Sequence, residues 1–242
     1  MNWQKITEKL VSWVRDKVVT AGSKGVVAGL SGGLDSSVAA VLCHHAFPRN
    51  MLALILPCHS SDEDILHAQL LAEQFSIPAK TVALDETYDT MLKALPDDRA
   101  AAEVSRLAKA NLKARLRMLT LYYFANRLNY LVVGSSNRDE LTLGYFTKYG
   151  DGGVDIQPLG NLLKGQVREL AQFLGVPRPI INKPPSAGLW EGQTDEEELG
   201  LGYDELDHYL ASGEASGALK KRLESMIATN RHKRQPPPIA EL

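Results

Sequence analysis

Cysteine is scarce in this chain of 242 residues: Cys43 and Cys58 form no Cys-x-x-Cys pair, and no secretory leader pattern accompanies them. Their scarcity argues against a zinc knuckle or a disulfide framework and makes a reducing cytoplasm the expected compartment. An excess of one charge is also missing. With 27 Lys and Arg against 29 Asp and Glu, the formal charge is −2 and the pI is near 6.3. No nucleic-acid partner is expected, and an anionic substrate has to be met by local cations. Long hydrophobic runs are absent as well. The longest, near Met51 to Leu56, falls far short of the roughly 20 residues that cross a bilayer, so no membrane partner is expected. Neither internal repeats nor low-complexity tracts occur. At the start, Trp3, Ile6, Leu10, Trp13 and Val14 recur at helical spacing, while Glu8 and Asp16 interrupt a transit-peptide pattern. That spacing predicts a packed helix, placed at a subunit contact.

The common phosphate motifs are lacking too: there is no Gly-x-x-x-x-Gly-Lys-Ser/Thr, and the glycines do not fall as Gly-x-Gly-x-x-Gly. A γ-phosphate-transferring P-loop enzyme and a dinucleotide fingerprint are thereby disfavoured. In their place stands Gly29-Leu30-Ser31-Gly32-Gly33-Leu34-Asp35-Ser36-Ser37, after the apolar run Gly25-Val26-Val27-Ala28 and before Val38-Ala39-Ala40-Val41-Leu42. A strand turning sharply into a helix through glycines aims successive backbone N–H groups at one point, which favours a phosphate there. Ser31, Ser36 and Ser37 add hydroxyl donors. Asp35 repels a phosphate, and an acid inside an anion site makes sense if it holds a divalent cation bridging phosphate oxygens.

Apolar runs at Gly25 to Leu30, Met51 to Leu56, Lys80 to Leu84 and Tyr130 to Gly134 alternate with helical patterns at Ser36 to Ala46, Asp62 to Phe75 and Glu103 to Leu128. Such alternation predicts βαβ units and an α/β fold, a mostly parallel sheet covered by helices on both faces. Ligands of these sheets sit beyond the carboxyl ends of the strands. The loop at Ser31, the stretch Pro57 to Ser61 and Ser135-Ser136-Asn137 all fall there. Further on come a glycine-rich connection from Gly144 to Gly153, a helix from about Lys164 to Leu174, and a Pro-rich stretch from Pro177 to Pro185. Thr194-Asp195-Glu196-Glu197 reads as a capping box at a helix start, with no direct ligand role assigned to its acids. His59 reads as a solvated loop histidine.

The Ser-Gly-Gly-x-Asp-Ser loop resembles the pyrophosphate loop of the N-type ATP pyrophosphatases. Four later segments narrow the resemblance: Asn111-Leu112-Lys113-Ala114-Arg115-Leu116-Arg117-Met118, Phe146-Thr147-Lys148-Tyr149-Gly150-Asp151-Gly152-Gly153-Val154-Asp155, Lys183-Pro184-Pro185-Ser186-Ala187-Gly188-Leu189, and His232-Lys233-Arg234. Together they resemble ammonia-dependent NAD synthetases from about Gly25 to Pro236. The resemblance implies a Rossmann-like fold of the adenine nucleotide alpha hydrolase type, one synthetase domain over residues 1–242 with no glutaminase domain, and a homodimer. It also implies the last step of NAD biosynthesis. ATP adenylates the nicotinate carboxylate of deamido-NAD with loss of pyrophosphate, and ammonia then displaces AMP.

By the same resemblance, Gly29, Leu30, Ser31, Gly32, Gly33, Leu34, Asp35 and Ser36 hold the ATP phosphates, and Ser135, Lys164 and Ser186 also touch ATP. Asp35, Lys164 and Ser186 form the catalytic set. Asp35 and Glu140 bind magnesium, and Arg115, Lys148, Asp155, His232 and Lys233 bind deamido-NAD. The family's usual Gly-Thr-Asp-His-Ala-Ala-Glu is here Gly134-Ser135-Ser136-Asn137-Arg138-Asp139-Glu140. This removes an acid at Ser136 and a histidine at Asn137 and adds two charges. Segments 144–153 and 186–195 are expected to close over the adenylate. Ammonia is expected as the direct nitrogen donor, unless a separate glutaminase subunit delivers it. The rivals are another pyrophosphate-loop adenylating enzyme, of the tRNA-modifying ligase type, and a catalytically silent nucleotide-binding regulatory domain.

Overall fold

The computed structural model describes residues 1–96, 102–186 and 195–240. Four parallel strands, β1 (Gly25–Gly29), β2 (Met51–Ile55), β3 (Ala79–Thr81) and β4 (Tyr130–Val133), lie in the order β3-β2-β1-β4. Val26 pairs with Met51 on one side and Leu131 on the other, so β1 is central. The chain winds outward through β2 and β3, then crosses back to place β4 on the opposite flank of β1. The reversal opens a crevice between the carboxyl ends of β1 and β4, where sheets of this kind take ligands.

Side-chain alternation distributes the strands between two apolar layers. On one side Val26, Ala28, Ala53 and Ile55 pack with α1 (Trp3–Thr20), α2 (Leu34–Ala46) and α7 (Lys164–Leu174). On the other, Val27, Leu52, Leu54 and Val132 pack with α4 (Asp85–Ala94) and α5 (Ala102–Leu128). A third, smaller cluster joins Leu143 of α6 (Arg138–Leu143), Leu199 of α9 (Asp195–Leu199), Leu206 of α10 (Tyr203–Ser212) and Leu223 of α11 (Gly217–Thr229). Completing the order are α3 (Asp62–Gln74), α8 (Arg178–Asn182) and a 3-10 turn at Asn230–Lys233.

One expectation shifts and one, the packed first helix, is met. The third strand is three exposed residues, Ala79 to Thr81, and not Lys80 to Leu84, because it is the sheet edge and α4 begins at Asp85. The apolar stripe of α1 is spent inside the molecule, where Val14 and Val18 are buried and Trp3, Leu10 and Trp13 pack on the same core. Exposed large apolar side chains occur elsewhere, among them Met91 and Leu95 near the end of α4 and Leu107, Leu119 and Tyr123 of α5.

Candidate active site

The loop after β1 turns at Gly32, whose φ of +80° is a left-handed conformation that favours glycine. A Cβ there would also lie 2.2 Å from the Asp64 carbonyl oxygen. The chain then enters α2 with Gly33 as an extended N-cap whose position carries no side chain. No side chain caps the helix-start N–H groups; the Ser36 and Ser37 hydroxyls donate back to the Gly33 carbonyl at 3.0 and 2.8 Å, and the Ser31 and Ser36 hydroxyls pair at 2.9 Å. The Ser31 and Ser36 hydroxyls and the helix-start N–H groups therefore lie together at one turn. Ser37 is fully buried and braces the turn.

Asp35, one residue into α2, points across the crevice to α7 and α6. Its Oδ2 accepts from the Lys164 ammonium, and its Oδ1 accepts from Asn137 Nδ2 at 3.0 Å. Glu140 Oε1 lies 3.8 Å from the same ammonium. Asn137 is also the N-cap of α6 in a reciprocal capping box with Glu140, so one amide positions both acids. Burial, and then repulsion from Asp35, push the Glu140 carboxyl well above the usual carboxylate range, while Lys164 pulls it back. Burial acts against the Lys164 ammonium, but Asp35 and Glu140 outweigh it and the net shift is upward. Lys164 therefore stays charged. Its ammonium lies 5.0 Å from the Tyr203 ring centroid.

Below this knot Lys164 is held through its backbone. Asp139 Oδ2 accepts from the Lys164 N–H at 2.7 Å, and Asp207 Oδ2 accepts from the Gly165 N–H at 2.8 Å. Two carboxylates thus occupy orphan donors at the α7 start. Burial, followed by repulsion from Asp207, pushes the Asp139 carboxyl up to about 7.

A second surface is built along one face of α5. Asn111 accepts from the Thr147 hydroxyl at 2.7 Å, Arg115 donates to the Lys148 carbonyl at 3.3 Å, and Asp155 accepts from the Tyr122 hydroxyl at 2.9 Å. A Cβ on Gly150 would meet Ala114, and one on Gly153 would lie 3.1 Å from Met118. The spacing of these α5 residues therefore matches the turns of the 144–155 loop. The 3-10 turn closes the group: Lys148 Nζ donates to the His232 carbonyl at 2.7 Å, and Lys233 Nζ donates to Gly144 and Phe146 carbonyls at 2.8 and 3.0 Å. Asp155 also accepts from the Val132 N–H at 2.7 Å, which ties the loop to β4.

The model of the NAD synthase family matches residues 6–237. The chain belongs to the NAD synthase family. It is similar to the NH(3)-dependent NAD(+) synthetase of Syntrophomonas wolfei subsp. wolfei, at 50% identity over 99% of this chain and 97% of that protein. Among solved structures it is similar to NMN synthetase from Francisella tularensis (TM-score 0.92, 37% identity) and to NH3-dependent NAD synthetase from Campylobacter jejuni (TM-score 0.81, 33% identity). Each covers 100% of both chains.

Within this NAD synthase framework the structure gathers Asp35, Glu140 and Lys164, and separately Arg115, Lys148, Asp155, His232 and Lys233. Ser135 is half-buried just after β4, and Ser186 is exposed beyond α8. Pro185 accepts from the Asp195 N–H at 3.0 Å, which brings the segment ending at Ser186 beside α9. Asp195 itself had been read as helix-start electrostatics. It is 4% exposed, accepts from Tyr203 and Tyr145 hydroxyls at 3.0 and 3.3 Å, and interacts with Lys164. The capping partner Thr194 and residues 187–189 of the Lys-Pro-Pro motif lie outside the described residues, as does most of the 186–195 segment expected to close. The other residue that sequence reasoning undervalued is Asn137, which stands where the family usually has histidine. Asn followed three residues later by Glu was the available signal. His59 is engaged as well: its N–H donates to Asp85 at 2.6 Å and its Nε2 lies 2.9 Å from Asp89.

Proposed function

We propose that this chain is an ammonia-dependent amidating ligase that converts deamido-NAD, ATP and ammonia to NAD, AMP and pyrophosphate. The observation that carries the reading is the convergence of Asp35, Glu140 and Lys164 beside the Ser31–Gly33 turn, at the crevice where the strand order reverses. The nicotinate carboxylate oxygen attacks the α-phosphorus of ATP, and the bond to the β-phosphate oxygen breaks. The loop N–H groups, the serine hydroxyls and Lys164 offset the charge gathered by the departing pyrophosphate. Ammonia nitrogen then attacks the acyl carbon, AMP leaves with the anhydride electron pair, and the nitrogen loses a proton.

Magnesium fits the donor set. Two carboxylates from different helices already converge on one cation, as a hard ion bound by one or two carboxylates and substrate phosphates requires. Among the described residues no group of three or more His, Cys, Asp or Glu forms a complete protein cage. Asp35 and Glu140 would hold the ion, which supplies charge neutralisation for two anionic substrates. Arg115, Lys148, Asp155, His232 and Lys233 are assigned to deamido-NAD, and Ser135 and Ser186 to ATP.

The assigned partner is a second copy of the chain, docked on the exposed apolar side chains of α4 and α5. Replacing Leu119 and Tyr123 by Glu should yield monomers in light scattering. No helix among the described residues is long and apolar enough to cross a membrane; the cytoplasm is the proposed compartment.

The deciding assay supplies ATP, magnesium, ammonium and deamido-NAD and measures NAD and pyrophosphate together. Equal yields support the reading; pyrophosphate without NAD shifts the nitrogen source to a glutaminase subunit; neither product overturns it. The TM-score of 0.92 to an NMN synthetase favours a second reading, amidation of nicotinate mononucleotide. Comparing kcat/KM for the mononucleotide and dinucleotide acids distinguishes the two.

A further inference from the structure

The loop proposed for the ATP phosphates has acidic neighbours besides Asp35. The first turn of α3 lies directly against it: the Asp64 carbonyl oxygen is where a Gly32 Cβ would be, at 2.2 Å, and the His67 Cβ lies 3.1 Å from the same point. Asp64 is therefore fixed at the rim by backbone contact, and Glu63 precedes it. Carboxylates carried by a helix turn whose backbone packs on the loop repel an incoming triphosphate unless a cation compensates them.

Lys183 occupies the place where compensation is needed. It follows α8 and precedes the proposed ATP ligand Ser186 by three residues. Its ammonium reaches across 119 residues of sequence to Asp64 Oδ1 at 2.5 Å and lies 3.4 Å from Glu63 Oε2. The other Asp64 carboxylate oxygen accepts from the Ser61 hydroxyl at 2.7 Å. The Lys183 and Asp64 side chains are 20% and 25% exposed, so the pair is shielded from solvent screening more than an ordinary surface pair.

We propose that Lys183 is a positioning residue for ATP, which acts by cancelling the charge of Asp64 and Glu63 at the rim of the phosphate loop. This rests on the assignment of ATP to that loop. Lys183 need not touch the nucleotide. Its effect falls on capture of the anion, before the chemical step, because Asp64 is placed by its own backbone whether or not the lysine is present. Aligned with Asp64 on one side and carrying Ser186 on the other, the Lys183–Ser186 segment also links rim charge to a second proposed ATP contact.

The test is a double-mutant cycle on the full-length chain, with steady-state kinetics in ATP at low and high salt and calorimetric ATP binding alongside. Lys183→Ala should raise KM and Kd for ATP about tenfold at low salt with kcat within about twofold, the loss shrinking as salt screens the carboxylates. Lys183→Arg should restore capture. Asp64→Asn added to Lys183→Ala should recover most of the loss, although the lysine is still missing. An unchanged KM in Lys183→Ala overturns the proposal. So does an equal loss in the Asp64→Asn background, which would make Lys183 a direct phosphate ligand. Wild-type turnover in the same series tests the ligase reading separately: a wild type that binds ATP but makes no NAD fails that reading and leaves the binding cycle interpretable.

Discussion

The knot around Lys164 and the surface along α5 both gather cations, but they satisfy them differently. Lys164 is met by carboxylates, Asp35 and Glu140, in the crevice where the strand order reverses. Arg115, Lys148 and Lys233 are met by main-chain carbonyls of Lys148, His232, Gly144 and Phe146. The first arrangement depends on charge identity, since removal of one acid or of the ammonium leaves buried charge uncompensated. The second depends on shape, since carbonyls fix the position of each cation, with the Asp151 and Glu198 carboxylates acting on Lys233 from nearby. Such a surface suits a dinucleotide's diffuse negative charge; the knot, whose carboxylates already match its ammonium, suits a triphosphate only together with the divalent cation proposed for Asp35 and Glu140.

Asp35→Ala should break this contrast most severely. It removes one partner of Lys164 and one of the two carboxylates proposed for magnesium, and pyrophosphate release should fall by about a thousandfold or more. Normal turnover at ordinary magnesium would refute the metal role. On the α5 surface, Lys148→Ala should instead raise KM for deamido-NAD by about tenfold or more while kcat falls less, because charge-assisted contacts to a bound anion are lost in ground state and transition state alike. A pure kcat loss would move Lys148 into the knot's class. Lys233→Met keeps the side-chain stem but leaves two carbonyls without their donor, at a cost of about 1–3 kcal/mol in denaturant unfolding.

How legible each region was follows from the same distinction. The strand and turn around Ser31 were readable because hydrophobic period and glycine positions are local signals. Asn111, Arg115, Met118 and Tyr122 fall on one face by helical spacing, which is a local signal too, and the structure sets those residues against successive turns of the 144–155 loop. The knot was only partly readable. Asp35 and Lys164 are 129 residues apart, and nothing in the spacing of either shows that they meet; the family resemblance implies only that both serve the ATP site. Asn137 and Asp195 escaped for a further reason. An Asn and an Asp at helix starts satisfy capping rules without any ligand, so their second roles, holding Asp35 and facing Lys164, appear only when the crevice is assembled. The edge strand at Ala79 was overextended because an apolar run does not reveal where pairing stops.

The smallest expected effect concerns the support beneath the knot, and its direction is opposite to the others. Burial raises the folded-state Asp139 carboxyl to about 7, from an ordinary value near 3.8. Between those values the folded chain binds more protons than the unfolded one, so this group's contribution to stability declines as pH rises from about 4 to about 7. Asp139→Asn keeps an oxygen to accept from the Lys164 N–H and removes the titration. In magnesium-free and nucleotide-free buffer, the variant should match the wild type near pH 4 and melt a few degrees higher near pH 7.5. Equal pH slopes in the two proteins would show that folding leaves the Asp139 titration where it is in the unfolded chain, and would place it with the ordinary helix-start carboxylates. A flatter slope together with unchanged KM for ATP would separate the stability of the α7 start from the charge chemistry of Lys164, which shares its backbone but faces the crevice.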